Sequence, residues 1–354
     1  MDRMELKSYQ DIIQHLNKTK RTKHLLLGNG FSMAYDAGIF SYNALNKFIE
    51  KSNDNLLKKL FEIVNTKNFE LIMQQLDNFC QLAEEFSSDK KLRAKIQAAS
   101  ETLKTSLLDA IKELHPEHVF KIPEEKSKSC AKFINTFLGS GGHVFTSNYD
   151  ILLYWVLMRN MDKIANAIDG FGRYAEESDE YQAYEDLEFS DLEWGKHRDE
   201  QNIHYLHGAL PLFDAGISIV KEEYDTQDLL LEKIKKRIAN REYPIFVTAG
   251  DGKEKLTHIM HNQYLSHCYD QLSSLDGSLV TFGFNFGKHD EHIIDAINIA
   301  AKHRKKTPPK LWSIYIGVYS KDDKKYIESI AGKFKCKVNL YDSKTVNVWD
   351  QKDN

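Results

Sequence analysis

What most constrains the fold of this chain is a repeating unit: a short apolar run, a small polar turn, then a helical pattern. The apolar runs are His24 to Leu27, His143 to Phe145, Ile203 to Leu206, Ile245 to Thr248, Leu279 to Phe282, Trp312 to Ile316 and Lys337 to Tyr341. Their apolar residues are consecutive rather than strictly alternating, which suits strands buried on both faces. Helical patterns follow several of them, at Ile151 to Met158, Leu256 to Leu275, Glu291 to Ala301 and Asp322 to Lys333. Strand, turn and helix recurring in this way predict an α/β fold with a Rossmann-like parallel sheet covered by helices.

Between the first two runs, residues 41–137 contain few glycines or prolines and carry helical spacing, as in Leu56-Leu57-Leu60-Phe61-Val64 and Leu71-Ile72-Gln75-Leu76-Phe79. One crossover helix needs only about a dozen residues, so this stretch is expected to be an inserted helical subdomain. It interrupts an α/β domain made of residues 1–40 and 138–354, with a helix end near Leu114-His115-Pro116. An acidic stretch over residues 176–193 is expected to be a solvated loop, or else a partner-binding face or lid. With 48 basic against 52 acidic residues, the chain has no basic excess with which to hold a phosphate backbone, and nucleic acid is not expected as a partner. No apolar run reaches the ~20 residues of a membrane span, and the start from Met1 to Gln10 is polar, so a cytoplasmic protein is expected. Four scattered cysteines make no disulfide framework.

Four segments can carry chemistry. Leu27-Gly28-Asn29-Gly30-Phe31-Ser32 runs from a strand into a helix start, where glycines permit close backbone approach and amides can face a diphosphate. A third fingerprint glycine would fall at Met33, so the turn by itself is equally a tight strand-to-helix connection. Thr146-Ser147-Asn148-Tyr149-Asp150 puts small polar groups and a carboxylate at a strand end. Asp150 could be a helix cap, but Asn148, both donor and acceptor, suits a ribose hydroxyl or a water. His207-Gly208 ends a strand and offers a general base, whereas His204 lies within the strand and reads as structural. Gly283-Phe284-Asn285 ends a fourth strand, with Asp290 and His292 read as capping and packing groups. No His-Glu-x-x-His or similar metal spacing occurs.

In this order, G-N-G-F-S, T-S-N-Y-D, L-H-G and G-F-N-F resemble the sirtuin-like family, and most closely its bacterial branch of NAD hydrolases in anti-phage defence. Thr146, Asn148 and Asp150 match the family's T-Q-N-x-D, and His207-Gly208 matches its catalytic H-G pair. Gly38-Ile39-Phe40-Ser41-Tyr42 stands at the place of the family's G-I-P-x-F-R loop but lacks its proline and arginine. The resemblance implies a sheet of the sirtuin type and NAD as substrate. Catalysis would fall to Asn148 and His207, and cofactor binding to Gly28, Asn29, Gly30, Phe31, Ser32, Thr146, Asp150, Gly283 and Asn285. Cys80, Cys130, Cys268 and Cys336 are single, so the two C-x-x-C pairs of the family's zinc ribbon are missing and no metal is expected. That moves the expectation from protein deacylation toward hydrolysis of NAD by water. Unrestricted hydrolysis is toxic, so a latent enzyme is expected, a homo-oligomer or a complex with a sensor or regulatory protein. A deacylase and a non-catalytic NAD or ADP-ribose-binding module are the alternatives.

Overall fold

The structure is a computed structural model that describes residues 6–37, 58–59, 62, 69–86, 89–99, 102, 121–164, 166–173, 191–224, 229–240, 242–247, 251–302 and 310–350. The Gly38 to Tyr42 segment, the Leu114-His115-Pro116 break, most of the Leu56 to Val64 pattern and most of the acidic stretch lie outside these residues.

In chain order the first elements are β1 (Lys7–Ser8), α1 (Tyr9–Lys18), β2 (Lys23–Leu27), α2 (Asn29–Tyr35), α3 (Phe69–Phe86), α4 (Glu124–Leu138), β3 (Val144–Thr146) and α5 (Leu152–Arg159). There follow β4 (Phe171–Gly172), β5 (Leu192–Trp194), β6 (Ile203–Tyr205), β7 (Gly208–Asp214), β8 (Ile219–Lys221), α6 (Leu230–Ala239) and β9 (Pro244–Phe246). The last are α7 (Gly252–His261), α8 (Gln263–Ser273), β10 (Gly277–Phe282), α9 (Glu291–Ala300), β11 (Leu311–Val318), α10 (Lys321–Ile330) and β12 (Lys337–Asp342).

Seven strands form one sheet in the order β1-β12-β11-β10-β2-β3-β6, every neighbouring pair parallel. Every residue of β2 and β10 is buried, as the uninterrupted apolar runs predict for strands covered on both faces. Counted from β2, the strands β2, β3, β6, β10, β11 and β12 lie in the spatial order 3-2-1-4-5-6 of doubly wound dinucleotide-binding sheets. The chain runs outward through β3 and β6, then returns to the other side of β2 with β10. Between β2 and β10 the direction of winding reverses, and the first strand-to-helix turn opens there. The fold is therefore α/β and Rossmann-like in general kind.

Two local expectations change. The pattern from Leu256 to Leu275 is two helices, because Asn262 has an extended backbone and its side chain accepts from Leu265 N at 3.1 Å, ending α7 and starting α8. The Ile245 to Thr248 run does not join the parallel sheet. Its strand β9 pairs antiparallel with β7 in a second, five-stranded sheet of order β4-β5-β8-β7-β9. Pro211 hides β7 from sequence reading, since proline cannot donate to a ladder, and the strand accommodates it where its register against β9 shifts. Of residues 41–137, the described parts are largely helical. The Leu71 to Phe79 pattern lies on α3, and α4 packs on β2, β3 and α5.

Candidate functional site at the carboxyl ends of β2, β3, β6 and β10

The turn after β2 is pressed against the end of β10. Gly28 N donates to Phe282 O at 3.0 Å and Gly30 N to Gly283 O at 2.9 Å. A β-carbon at Gly30 would stand 2.5 Å from Gly283 Cα, so only glycines allow this approach. Phe31 is buried, its ring tilted against that of Trp349 with centroids 4.9 Å apart, and its carbonyl accepts from Trp349 Nε1. Two of the amides expected to face a diphosphate thus join β2 to β10, and Phe31 is a packing group. Asn29 and Gly30 are the partly exposed members of the turn.

The turn after β3 carries a connected polar set. Thr146 Oγ1 accepts from Asn148 N at 3.0 Å and shapes the turn. Asn148 Nδ2 donates to Gly28 O at 3.1 Å and to Ser32 Oγ at 2.8 Å. Ser32 Oγ in turn donates to Asp150 Oδ2, and Asp150 Oδ1 accepts from Leu152 N at 3.0 Å at the start of α5. Ser32 is therefore a fully buried link rather than a surface ligand. With both Nδ2 protons committed, Asn148 keeps Oδ1 as an acceptor that takes no hydrogen bond from the described residues.

Burial raises the Asp150 carboxyl to about 6, against the partial relief of its bonds to Ser32 and Leu152. A raised carboxyl contributes its stability below about pH 4, and that contribution is lost as pH rises through 6. Asp150→Asn keeps an acceptor for Leu152 N, turns an amide N–H to Ser32 Oγ, and cannot ionise. Its urea midpoint is expected to exceed that of the natural chain at pH 8 and to fall level with or below it at pH 4. A lower midpoint at pH 8 would show the charge to be stabilising.

His207 follows β6, next to β3, where Leu206 N donates to Thr146 O at 2.8 Å. The imidazole and Asn148 thus follow adjacent strands. Burial holds His207 well below its ordinary value, with His292 and Lys255 adding to the effect, so the ring is neutral at pH 7. Gly208 has φ +76°, and a β-carbon there would lie 1.9 Å from Ile245 O. Gly208→Ala is expected to cost at least ~2 kcal/mol through strain and backbone displacement, read as a lowered urea midpoint.

After β10, Gly283 has φ +66° and Asn285 is exposed on the rim. Asp290, expected to cap α9, makes no side-chain cap. Instead it accepts from Gly287 N at 3.1 Å and pairs with the buried Lys255 Nζ at 3.3 Å. His292 Nε2 lies 2.8 Å from His207 Nε2, so it belongs to the site rather than to packing alone. Lys255 escaped sequence reading because it occupies an ordinary position in an amphipathic helix. His204, read as structural, is the middle residue of β6, stacked 4.6 Å from Phe145 and bonded to His143. Among the described residues, no group of three or more His, Cys, Asp or Glu could hold a metal ion, and no helix is long and apolar enough to cross a membrane.

These features define an α/β protein whose polar residues gather at the strand ends beside the reversal of its parallel sheet. The chain belongs to the family described as Domain of unknown function (DUF4917), whose model matches residues 25–349. No curated protein matches it.

Proposed function

We propose that this protein hydrolyses the nicotinamide–ribose bond of NAD, giving nicotinamide and ADP-ribose. The observation that carries the reading is the convergence, beside the β2/β10 reversal, of a neutral buried imidazole at His207 and an uncommitted acceptor at Asn148 Oδ1. Ligands of open α/β sheets bind outside the carboxyl ends of the strands at such a reversal. The order of motifs that resembles the sirtuin-like NAD hydrolases supports the same substrate.

The pyridinium of NAD is a good leaving group, so the protein has to hold the cofactor, stabilise an oxocarbenium-like ribose and direct water. Nicotinamide departs with the electrons of the C–N bond. Water then attacks the anomeric carbon and yields its proton to His207. Asn148 Oδ1 accepts a hydrogen bond from the attacking water or a ribose hydroxyl. Ser32 and Asp150 act at one remove, fixing the amide of Asn148. Asn29, Gly30, Gly283 and Asn285 offer the exposed rim for the diphosphate and adenosine ribose. In the cell this activity would be latent, an effector of anti-phage defence released by a signal or partner.

Purified protein incubated with NAD, alone and with the product of its neighbouring gene, is expected to release equimolar nicotinamide and ADP-ribose. Tight NAD or ADP-ribose binding with no nicotinamide under either condition would replace the hydrolase with a binding module. Release that depends on an acyl-lysine peptide would make it a deacylase.

A further inference from the structure

The His207–His292 contact fixes where the protons sit. Two imidazoles whose Nε2 atoms are 2.8 Å apart need one donor and one acceptor. Burial holds both rings neutral, so each carries a single N–H. His292 Nδ1 is buried with no partner among the described residues, where a lone pair costs less than an N–H, so the His292 proton sits on Nε2 and that of His207 on Nδ1. His207 Nε2 is then a lone pair, and His292 donates to it. Nδ1 of His292 needs no acceptor in that tautomer, in keeping with its burial without a partner among the described residues.

We propose that His292 is a resting cap: its Nε2–H occupies the lone pair with which His207 would accept a proton, and the site opens when that bond is exchanged for one from the ligand. This inference rests on the NAD hydrolase reading and supplies a physical basis for its latency. The cap is held firmly. Tyr269 Oη donates to His292 O at 3.2 Å, and Gly252 leaves just enough room for the first turn of α9, a β-carbon there falling 3.3 Å from His292 N. The Lys255 charge on α7 disfavours protonation of either ring, and Asp290 pairs with that lysine from the loop before α9.

Two measurements test it: nicotinamide release by the natural chain, His292→Phe and His292→Gln, and long-range proton–nitrogen NMR of the natural chain labelled at histidine. His292→Phe cannot donate, and its initial rate is expected to rise about fivefold, the worth of one neutral hydrogen bond. The glutamine amide can donate to the same nitrogen, so His292→Gln should fall back below His292→Phe by a similar factor. NMR should find His207 protonated on Nδ1. A His292→Phe rate at or below that of the natural chain, with thermal unfolding unchanged, would overturn the cap, as would His207 protonated on Nε2. If no form releases nicotinamide, the NAD reading falls and the cap is judged on the nitrogen spectrum alone.

Discussion

Replacing His207 with alanine is expected to lower nicotinamide release from NAD by about 10²–10⁴-fold, the range supplied by one positioned acid–base group. The ring is neutral at pH 7 because burial and the nearby Lys255 disfavour the imidazolium, so it can take a proton without first losing one. Its loss leaves the His292 Nε2–H buried without an acceptor, which costs roughly 1–3 kcal/mol of stability. The variant should therefore be compared well below its melting temperature. Asn148→Ala is expected to reduce the rate by a comparable factor, since Oδ1 disappears and Ser32 and Gly28 lose a donor together. Asn148→Asp keeps an acceptor but removes both Nδ2–H donors beside the buried Asp150, and should recover little. Equimolar nicotinamide and ADP-ribose at the natural rate from folded His207→Ala would remove the imidazole from the mechanism.

The second large effect is on stability in acid. His24 and His204 lie within β2 and β6, His143 just before β3, and His207 and His292 beyond the carboxyl ends of the strands. All five are held below the ordinary imidazole value, burial being the largest cause in each. The folded chain keeps these rings neutral, whereas the unfolded chain protonates them below about pH 6.5. Their contribution is complete above that value and is lost as pH falls toward the folded values, about 3 for His292. That one shift corresponds to ~5 kcal/mol at ~1.4 kcal/mol per pH unit, a large part of a typical domain's 5–15 kcal/mol. Asp150 has the opposite sign but is a single group. The urea midpoint is expected to drop steeply between pH 6.5 and 4.5. His204→Gln should reduce that slope, because its amide can serve the bonds to His143 and Gln201 without titrating. A midpoint level over this interval would mean that the buried rings take up protons in the folded state.

Much of the framework is legible in short stretches of sequence. The apolar runs that become β2, β3, β6, β10 and β11 are recognisable because a strand covered on both faces needs consecutive apolar side chains, whereas β12 alternates and is only partly buried. The turns that follow them announce themselves by glycine, asparagine and serine. The antiparallel sheet is less legible: β4 and β5 are two and three residues long, and β7 contains Pro211. The break at Asn262 shows how one side chain that satisfies backbone amides can divide a continuous helical pattern.

At the candidate site, Gly28, Gly30, Asn148 and His207 stand out in the sequence because each follows the end of a strand. The sequence could not say which of their atoms remain available. Ser32 reaches Asp150 across 118 positions and His207 reaches His292 across 85. Such pairings follow from the order in which the strands are laid side by side. Local residue choice therefore determined the alternation of strands and helices and the residues at their ends. Only the tertiary structure decided that Ser32 is consumed internally, that Asn148 keeps one acceptor, and that His292 and Lys255 join the site. The reason is that burial and hydrogen-bond partnership depend on what the folded chain brings into contact, and the residues flanking a position do not determine that.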